Sequence, residues 1–272
     1  MTTSPADHGL RGAVLGTGYW AEWCHATVLA NHPGIEFIGV WGRDDMKTQA
    51  VAERVGGTPF ATPEDLFAAT DIVAVAVPPD IQAELAVRAA RAGKHLLLDK
   101  PIAFTVDSAQ AVVDAAASAN VATLTFLTYR FQPAVVAWLD KMQKLAGDLG
   151  AWEGAEIHSF GSIDLPGSPY SGSPWRRERG GLWDWGPHAL SVLDVLLPRI
   201  VGVTAVRGIR DTTTVVLEHD GGPTSVMIST CTAPEPSLES RVTVCGPAGR
   251  FELELHSFPT RRSSDLDRKS VV

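Results

Sequence analysis

Residues 13–21 read AVLGTGYWA, an apolar run that breaks at Gly16, Thr17 and Gly18 and then resumes in a helix-forming pattern. A strand, a glycine-rich turn and a helix start are the elements with which a dinucleotide fold binds the pyrophosphate of its ligand. Gly16 permits the tight turn, and Gly18 lets backbone approach a phosphate because it carries no Cβ. Ala21 occupies the third position of the pattern, where a small residue allows close packing of the helix on the strand. The pattern also fits an ordinary strand–turn–helix connection, so the rest of the chain must distinguish between these two interpretations.

Residues 10–126 alternate between short apolar runs and amphipathic runs, which is the change of period that successive βαβ units produce. Ile72–Val77 is apolar at every position, as expected of a strand covered by helices on both faces. We therefore predict an α/β domain over residues 1–126, with a Rossmann-type doubly wound parallel sheet. The predicted strands are 11–16, 35–41, 71–77, 95–99 and 121–126, and the predicted helices are 19–31, 45–56, 63–69, 80–92 and 106–119.

The pattern changes after residue 126. Apolar and polar residues alternate along 154–162, 200–208, 213–219, 224–232 and 240–255, and helices are predicted at 134–146 and 187–197. Such alternation is typical of an antiparallel sheet with one buried face. Residues 127–255 are therefore predicted to form an α+β domain with a mostly antiparallel sheet.

The last seventeen residues, His256–Val272 (HSFPTRRSSDLDRKSVV), do not resemble protein sequence. Their back-translation reads as a widely used short-read sequencing adapter followed by its reverse complement, and the next codon of that complement is a stop. We expect residues 256–272 to be a non-native tail and exclude them from the fold prediction. The natural sequence beyond Leu255 would then be missing, and the sheet of the second domain would be incomplete.

Composition and charge exclude several classes of function. Without the four basic and two acidic residues of the tail, residues 1–255 hold 19 basic and 29 acidic side chains, a formal charge of −10. This balance argues against nucleic acid or an anionic membrane as a partner. No apolar run approaches the roughly 20 residues of a membrane span, and the polar N-terminus does not resemble a secretory signal. Cys24, Cys231 and Cys245 are widely spaced, so we expect a cytoplasmic protein with neither a disulfide framework nor a metal site.

The carboxyl ends of the predicted parallel strands meet at one edge of the sheet, where doubly wound folds bind their ligands. The residues there form the predicted cofactor site: Gly16, Thr17, Gly18, Tyr19, Trp20, Ala21, Gly42, Arg43, Val77, Pro78, Asp99 and Lys100. An acid usually ends the second strand and binds the adenine-ribose 2′-hydroxyl. Here Gly42 and Arg43 stand at that place, which favours the 2′-phosphate of NADP over NAD. Asp44 could still serve the ribose, and Arg43 could face solvent or stack on the adenine.

Two further stretches carry candidate chemistry. LLLDKP at 96–101 places Lys100 at a strand end, and GGLWDWGPH at 180–188 places Asp184 and His188 four residues apart. With GTGYWA (16–21), AGKHLLLDKP (92–101) and TYRFQP (128–133) in the same order, the chain from residue 10 to about 255 resembles the Gfo/Idh/MocA family of NAD(P)-dependent oxidoreductases. Asp99 stands where the family usually has Glu, and Gln82 stands where it often has His.

The resemblance implies hydride transfer between a nicotinamide cofactor and a secondary alcohol or ketone of a sugar, inositol or related polyol. Lys100, Asp184 and His188 would be the catalytic residues. We expect His188 in the first turn of its helix, where the positive helix end disfavours the imidazolium and keeps a general base available. Lys100 would stabilise negative charge on the reacting oxygen. Asp184 would accept a hydrogen bond from a substrate hydroxyl or orient His188.

Tyr129, Arg130, Trp175 and Arg176 lie beside these motifs and are the predicted substrate contacts. The resemblance also implies a small polyhydroxy substrate and a homo-oligomer formed through the sheet of the second domain. Two other functions stay open, namely glycoside cleavage through transient reduction of a retained NAD and NAD(P) sensing without turnover. Each candidate catalytic residue also has an ordinary structural alternative. Lys100 could be an exposed loop lysine, Asp184 could cap its helix, and His188 could be a packed histidine.

Overall fold

The computed structural model describes residues 9–255, so the tail predicted over 256–272 lies outside the described residues. The chain divides into two compact units, one that ends at Phe126 and one that begins at Leu127. Within the described range, each unit contains one six-stranded sheet. Between residues 9 and 255, no helix has both the length and the apolar character needed to cross a membrane.

The first unit contains the predicted parallel sheet, with strand order β3-β2-β1-β4-β5-β6. Its strands are β1 (Leu10–Leu15), β2 (Ile35–Trp41), β3 (Thr58–Pro59), β4 (Ile72–Val75), β5 (His95–Leu98) and β6 (Thr123–Thr125). Its helices are a π-helical turn (Ala21–Ala26) continued by α1 (Thr27–Asn31), then α2 (Asp45–Val55), α3 (Pro63–Ala69), α4 (Pro79–Arg91) and α5 (Val106–Ala119). The order of elements alternates strand and helix and confirms the predicted α/β class.

The apolar strands of this unit are buried from both sides. In β4, Val73 and Val75 belong to one apolar cluster, and Ala74 joins Val14 and Val40 in a second cluster. All five residues are fully buried. Opposite faces of the same strand are therefore covered by different helices, which explains why the strand reads as an uninterrupted apolar run.

Capping residues set several helix boundaries as the sequence predicts. The hydroxyl of Thr62 accepts a hydrogen bond from the N–H of Asp65 at 3.1 Å and begins α3, with Pro63 in its first turn. Gly93 follows the end of α4 with a φ of +76°, a conformation that glycine adopts at little cost.

The second unit contains a mostly antiparallel sheet with strand order β12-β11-β7-β10-β9-β8, in which only β7 and β10 pair in parallel among the described strands. Its strands are β7 (Gly154–Phe160), β8 (Ile200–Arg207), β9 (Thr213–His219), β10 (Thr224–Thr230), β11 (Glu239–Gly246) and β12 (Gly249–Glu254). Its helices are α6 (Pro133–Leu149), α7 (Pro174–Arg179) and α8 (Gly181–Leu196), with short 3-10 turns at Thr128–Phe131 and Glu235–Ser237. One apolar core joins α6 and α8 to the sheet.

Two predicted boundaries in this unit are wrong. The single run predicted at 240–255 is a hairpin of β11 and β12, because a glycine-bounded turn reverses the chain between them and Gly249 has a φ of +114°. The helix predicted at 187–197 begins earlier, at Gly181, and Pro187 lies inside it. Gly180, with a φ of +74°, ends α7 and immediately precedes α8, so the helix start is set there rather than at the proline.

Candidate active site

The glycine turn of the first unit combines one glycine in a crowded position with one that faces open space. Gly16 has a φ of +134°, and a Cβ at this position would lie 2.3 Å from the backbone oxygen of Ala76, so only glycine fits. The N–H of Gly16 donates to the oxygen of Trp41 at 2.7 Å and ties the turn to the end of β2. A Cβ at Gly18 would meet no heavy atom within 4 Å. The backbone at Gly18 therefore faces open space, which fits the close approach of a dinucleotide phosphate.

Aromatic side chains follow the turn at the start of the π-helical segment. The Tyr19 ring stacks on Trp23 with centroids 5.8 Å apart, and Trp20 lies 5.6 Å from the same ring. Tyr19 is 39% exposed, whereas Ala21 is buried and keeps the helix close to the turn. Single π-helical turns are frequent at functional sites, and this one directly follows the residues predicted to bind the cofactor.

At the end of β2, Gly42 lies close to two threonine side chains. A Cβ there would lie 2.6 Å from Cγ2 of Thr17 and 3.0 Å from Oγ1 of Thr48, so a larger side chain at this position would require Thr17 to move. Asp44 accepts a hydrogen bond from the N–H of Lys47 at 3.1 Å and is the N-cap of α2. The Lys47 ammonium lies 3.6 Å from its second oxygen, and Arg43 is exposed. The Asp44 carboxylate thus caps α2 and pairs with Lys47.

The strand-end loops of β4 and β5 carry the remaining predicted residues of the first unit. Val77 and Pro78 are half-buried, and the oxygen of Pro78 accepts the N–H of Ile81 in the first turn of α4. Asp99 and Lys100 are half-buried after β5, and the Asp99 carboxylate accepts the N–H of Lys100 at 3.1 Å. The shorter aspartate therefore contacts the backbone of its own loop.

Gln82 is a functional candidate that sequence reasoning did not explain. Its side chain is fully buried in α4. The amide nitrogen donates to the backbone oxygens of Asp99, Pro101 and Ile102 at 2.7, 3.0 and 3.2 Å, and the amide oxygen accepts the N–H of Asp99 at 3.1 Å. One side chain thus fixes the loop that carries Lys100. The feature of the sequence that could have identified Gln82 is that it stands where the family often has His.

In the second unit, Asp184 lies in the first turn of α8 and is paired with Arg176. The Nε of Arg176 lies 3.0 Å from Oδ2 of Asp184, and the two side chains are 16% and 8% exposed. The guanidinium also lies 4.4 Å from the Tyr170 ring centroid and 4.3 Å from that of Trp175. The Arg176 guanidinium therefore contacts two aromatic rings while it neutralises Asp184.

His188 lies inside α8, about two turns after its start. The prediction that His188 occupies the first turn of its helix is wrong. The argument that the positive helix end disfavours its imidazolium therefore does not apply. His188 is 4% exposed and its ring lies 4.9 Å from the ring of Tyr129. The Tyr129 hydroxyl lies 3.2 Å from Oγ of Ser240. Burial raises the pKa of Tyr129, and the charge of Asp184 adds to the increase, whereas the hydrogen bond with Ser240 opposes it.

The structure thus groups the predicted residues within each unit. The first unit brings the glycine turn and the strand-end loops, including Lys100, to the carboxyl edge of its sheet. The second unit brings Arg176 and Trp175 to Asp184, and Tyr129 to His188. Arg130 is exposed and donates to the backbone oxygen of Ser191 at 3.0 Å. In the part of the chain that the structure describes, no group of His, Cys, Asp or Glu could hold a metal ion.

Comparison with known proteins gives an independent line of evidence. Residues 10–126 match the model of an oxidoreductase family with an NAD-binding Rossmann fold. Levoglucosan dehydrogenase of Pseudarthrobacter phenanthrenivorans is 31% identical over 50% of this chain and 35% of its own length. D-apiose dehydrogenase of Paraburkholderia graminis is 26% identical over 91% of this chain and 70% of its own length. The chain spans between 35% and 56% of the length of the first curated relatives it matches.

Solved structures share the fold over most of the chain. GenD2 from gentamicin A biosynthesis, solved in complex with NAD, superposes with a TM-score of 0.82 at 22% identity, covering 94% of this chain and 75% of its own. A putative myo-inositol dehydrogenase from Sinorhizobium meliloti superposes with a TM-score of 0.78 at 22% identity, covering 90% of this chain and 76% of its own. The similarity includes the parallel sheet and the mostly antiparallel sheet of the second unit.

Proposed function

We propose that the chain is an NAD(P)-dependent dehydrogenase of the Gfo/Idh/MocA oxidoreductase family, whose NAD-binding Rossmann model matches residues 10–126. It transfers a hydride between the nicotinamide and a secondary alcohol or ketone of a sugar, inositol or related polyol. Relatives named as dehydrogenases of levoglucosan and D-apiose support this substrate class. The chain spans 35% to 56% of the length of the first curated relatives it matches, so the residues of the site must carry the proposed activity.

The observation that carries this proposal is the pair of buried polar side chains on α8. Asp184 and His188 are four residues apart on the same helix face, and they are 6% and 4% exposed. Burying a carboxylate and an imidazole on a helix that packs into an apolar core costs free energy. Such arrangements are concentrated at sites where the side chains take part in chemistry.

The chain's own residues supply the proton transfer and the electrostatics, whereas the nicotinamide, when bound, accepts or donates the hydride. His188 takes the proton from the reacting hydroxyl oxygen and returns it in the reverse direction. Lys100 stabilises negative charge on that oxygen. Asp184, neutralised by Arg176 at 3.0 Å, accepts a hydrogen bond from a substrate hydroxyl, and Tyr129 holds the imidazole of His188. Trp175 and Arg130 offer a stacking surface and a donor to the polyol.

We test these roles with Lys100→Ala and His188→Ala. Each should lower kcat at least 10-fold, while the dissociation constant of the nicotinamide cofactor changes little because the glycine turn remains intact. The matched controls are Lys144→Ala and His32→Ala, two exposed residues that should leave kcat unchanged. Unchanged kcat in both site variants contradicts the proposal. Retained cofactor with no net turnover of NAD(P)H points instead to glycoside cleavage through transient redox.

We propose NADP as the preferred cofactor. Gly42 supplies no carboxylate, and Asp44 is engaged by Lys47, so the exposed Arg43 is the charged group next to the predicted 2′-position. A guanidinium pairs well with a phosphate. Arg43→Ala should raise the KM for NADP at least 5-fold, as loss of one charged hydrogen bond of about 1.5 kcal/mol or more implies, and change the KM for NAD less than 2-fold. Equal effects on both cofactors contradict this choice.

We also propose a homo-oligomer formed through the sheet of the second unit. Its edge strand β8 exposes Val201, Val203 and Val206 at 55%, 65% and 64%. An exposed apolar edge strand favours association with another chain. Light scattering should therefore give a mass larger than one chain, and Val203→Lys should lower that mass. A monomer at every concentration tested contradicts the proposal.

A further inference from the structure

Asp211 is a buried carboxylate in the loop between β8 and β9, outside every motif that the sequence singled out. Its Oδ2 accepts the backbone N–H groups of Gly181 and Cys231, both at 2.7 Å. Its Oδ1 accepts the hydroxyl of Thr230 at 2.6 Å and that of Thr232 at a shorter distance. Both oxygens are thus occupied by donors from the start of α8 and from the end of β10.

The environment of Asp211 keeps it ionised. Burial acts to raise the pKa of its carboxyl group, but the hydrogen bonds from Cys231, Thr230 and Thr232 together outweigh burial and hold the pKa well below its usual value. A carboxylate that accepts several hydrogen bonds is stabilised in this way. The negative charge also lies at the N-terminus of a long helix, where the helix dipole favours it.

The glycine pair before α8 makes this contact possible. A Cβ at Gly180 would lie 2.8 Å from the Cβ of Asp211, and a Cβ at Gly181 would lie 2.5 Å from the carbonyl carbon of Thr230. Only glycines let the helix start lie directly against the loop and the strand. The close approach of Gly180 and Gly181 therefore serves the contact with Asp211 and β10.

We propose that Asp211 is a positioning residue that fixes the first turn of α8 and, through it, the carboxylate of Asp184. Asp184 follows the anchored Gly181 by three residues, and its N–H donates to the oxygen of Gly180 at 3.4 Å. The inference rests on the proposed function, in which Asp184 contacts a substrate hydroxyl. Displacement of a positioned group by about 1 Å can lower a rate roughly 100-fold, so loosening this turn should lower kcat.

The test compares three variants in the full chain. Asp211→Ala removes both acceptors and should lower kcat at least 10-fold, with the cofactor dissociation constant within 2-fold of wild type. Asp211→Asn should recover kcat to within about 3-fold, because its amide oxygen can accept the two backbone N–H groups and its NH₂ can donate to the two hydroxyls. Asp164→Ala changes an exposed aspartate of the same unit that pairs with Arg177, and it should behave as wild type.

A second measurement does not depend on turnover. Hydrogen exchange of the amides from Gly181 to Trp185 should be faster in Asp211→Ala and unchanged in Asp211→Asn, while exchange in the C-terminal half of α8 stays protected. Unchanged exchange in Asp211→Ala overturns the anchoring role. Faster exchange with unchanged kcat overturns the positioning role.

These outcomes separate the inference from the proposed function. If wild type shows no turnover on any polyol, the proposed function fails, and the role of Asp211 in the reaction fails with it, whereas hydrogen exchange still decides the anchor. If Asp211→Ala exchanges throughout the unit and does not fold, Thr232→Val is the milder variant, since it removes a single donor. It should speed exchange in the first turn of α8 alone, and a wild-type exchange pattern overturns the anchor.

Discussion

Replacing Gln82 with methionine keeps the length of a fully buried side chain and removes its polar atoms. In the wild type, the amide nitrogen donates to the backbone oxygens of Asp99, Pro101 and Ile102, and the amide oxygen accepts the N–H of Asp99. Asp99 N–H keeps a second acceptor, the oxygen of Val75 at 3.1 Å. The substitution therefore removes hydrogen bonds mainly from the three backbone carbonyl oxygens.

The structure sets the expected magnitude. The amide nitrogen has two hydrogens, so the carbonyls lose about two full hydrogen bonds. A buried polar group left without its partner costs about 1–3 kcal/mol, and the total for Gln82→Met is about 2–4 kcal/mol. For a protein of this size, such a loss lowers Tm by roughly 10 °C.

The assay is urea unfolding of wild type and variant at pH 7, followed by tryptophan fluorescence. The matched control is Gln49→Met, because Gln49 is an exposed residue that bonds the side chain of Glu53 on the same helix. The control should change the free energy of unfolding by less than about 0.5 kcal/mol. If Gln82→Met unfolds at the same urea concentration as wild type, the hydrogen bonds to the Lys100 loop do not stabilise the unit.

Two further predictions concern buried ionisable groups. Arg176→Met leaves the Asp184 carboxylate buried without its cation and should lower the free energy of unfolding in urea by about 3 kcal/mol. The control Arg177→Met should lower it by less than about 1 kcal/mol, because the pair of Arg177 with Asp164 is half exposed. Equal losses in the two variants would contradict the role of the Arg176–Asp184 pair. Burial lowers the pKa of His25 from 6.5 to about 4, so the unfolded chain binds a proton that the folded chain does not. The contribution of His25 to the free energy of unfolding is complete above pH 6.5 and should fall by up to about 3 kcal/mol as the pH drops to 4. This loss should be absent from His25→Gln, and parallel pH profiles of the two proteins would refute the prediction.

Most of the first unit could be predicted because its signals are local. The apolar run of β4, the cap at Thr62 and the stop at Gly93 depend on neighbouring residues only. Gly16 and Gly18 were likewise identified from the turn pattern, and the structure leaves no room for a Cβ at Gly16 and open space beside Gly18. The contact of Gly42 with Thr17 could not be predicted, because it joins residues 25 positions apart at the ends of two strands.

The start of α8 could not be predicted, because distant contacts set it. Pro187 is typical of a first helical turn, but here it lies inside the helix, which begins at Gly181 under the carboxylate of Asp211. The contacts of Gln82 and Asp211 join residues 17 to 30 positions apart. A single sequence carries no pattern for such contacts, so neither residue was predicted to support the site.

A double-mutant cycle of Lys100 and His188 tests most directly whether both act on the same reacting oxygen. The assay measures kcat for NAD(P)-dependent oxidation of a polyol by wild type, Lys100→Ala, His188→Ala and the double variant. Residues that act as a unit give strongly non-additive losses, so the double variant should be within about 3-fold of the slower single variant. If the two losses in kcat multiply instead, the residues act independently and the account of the site is contradicted.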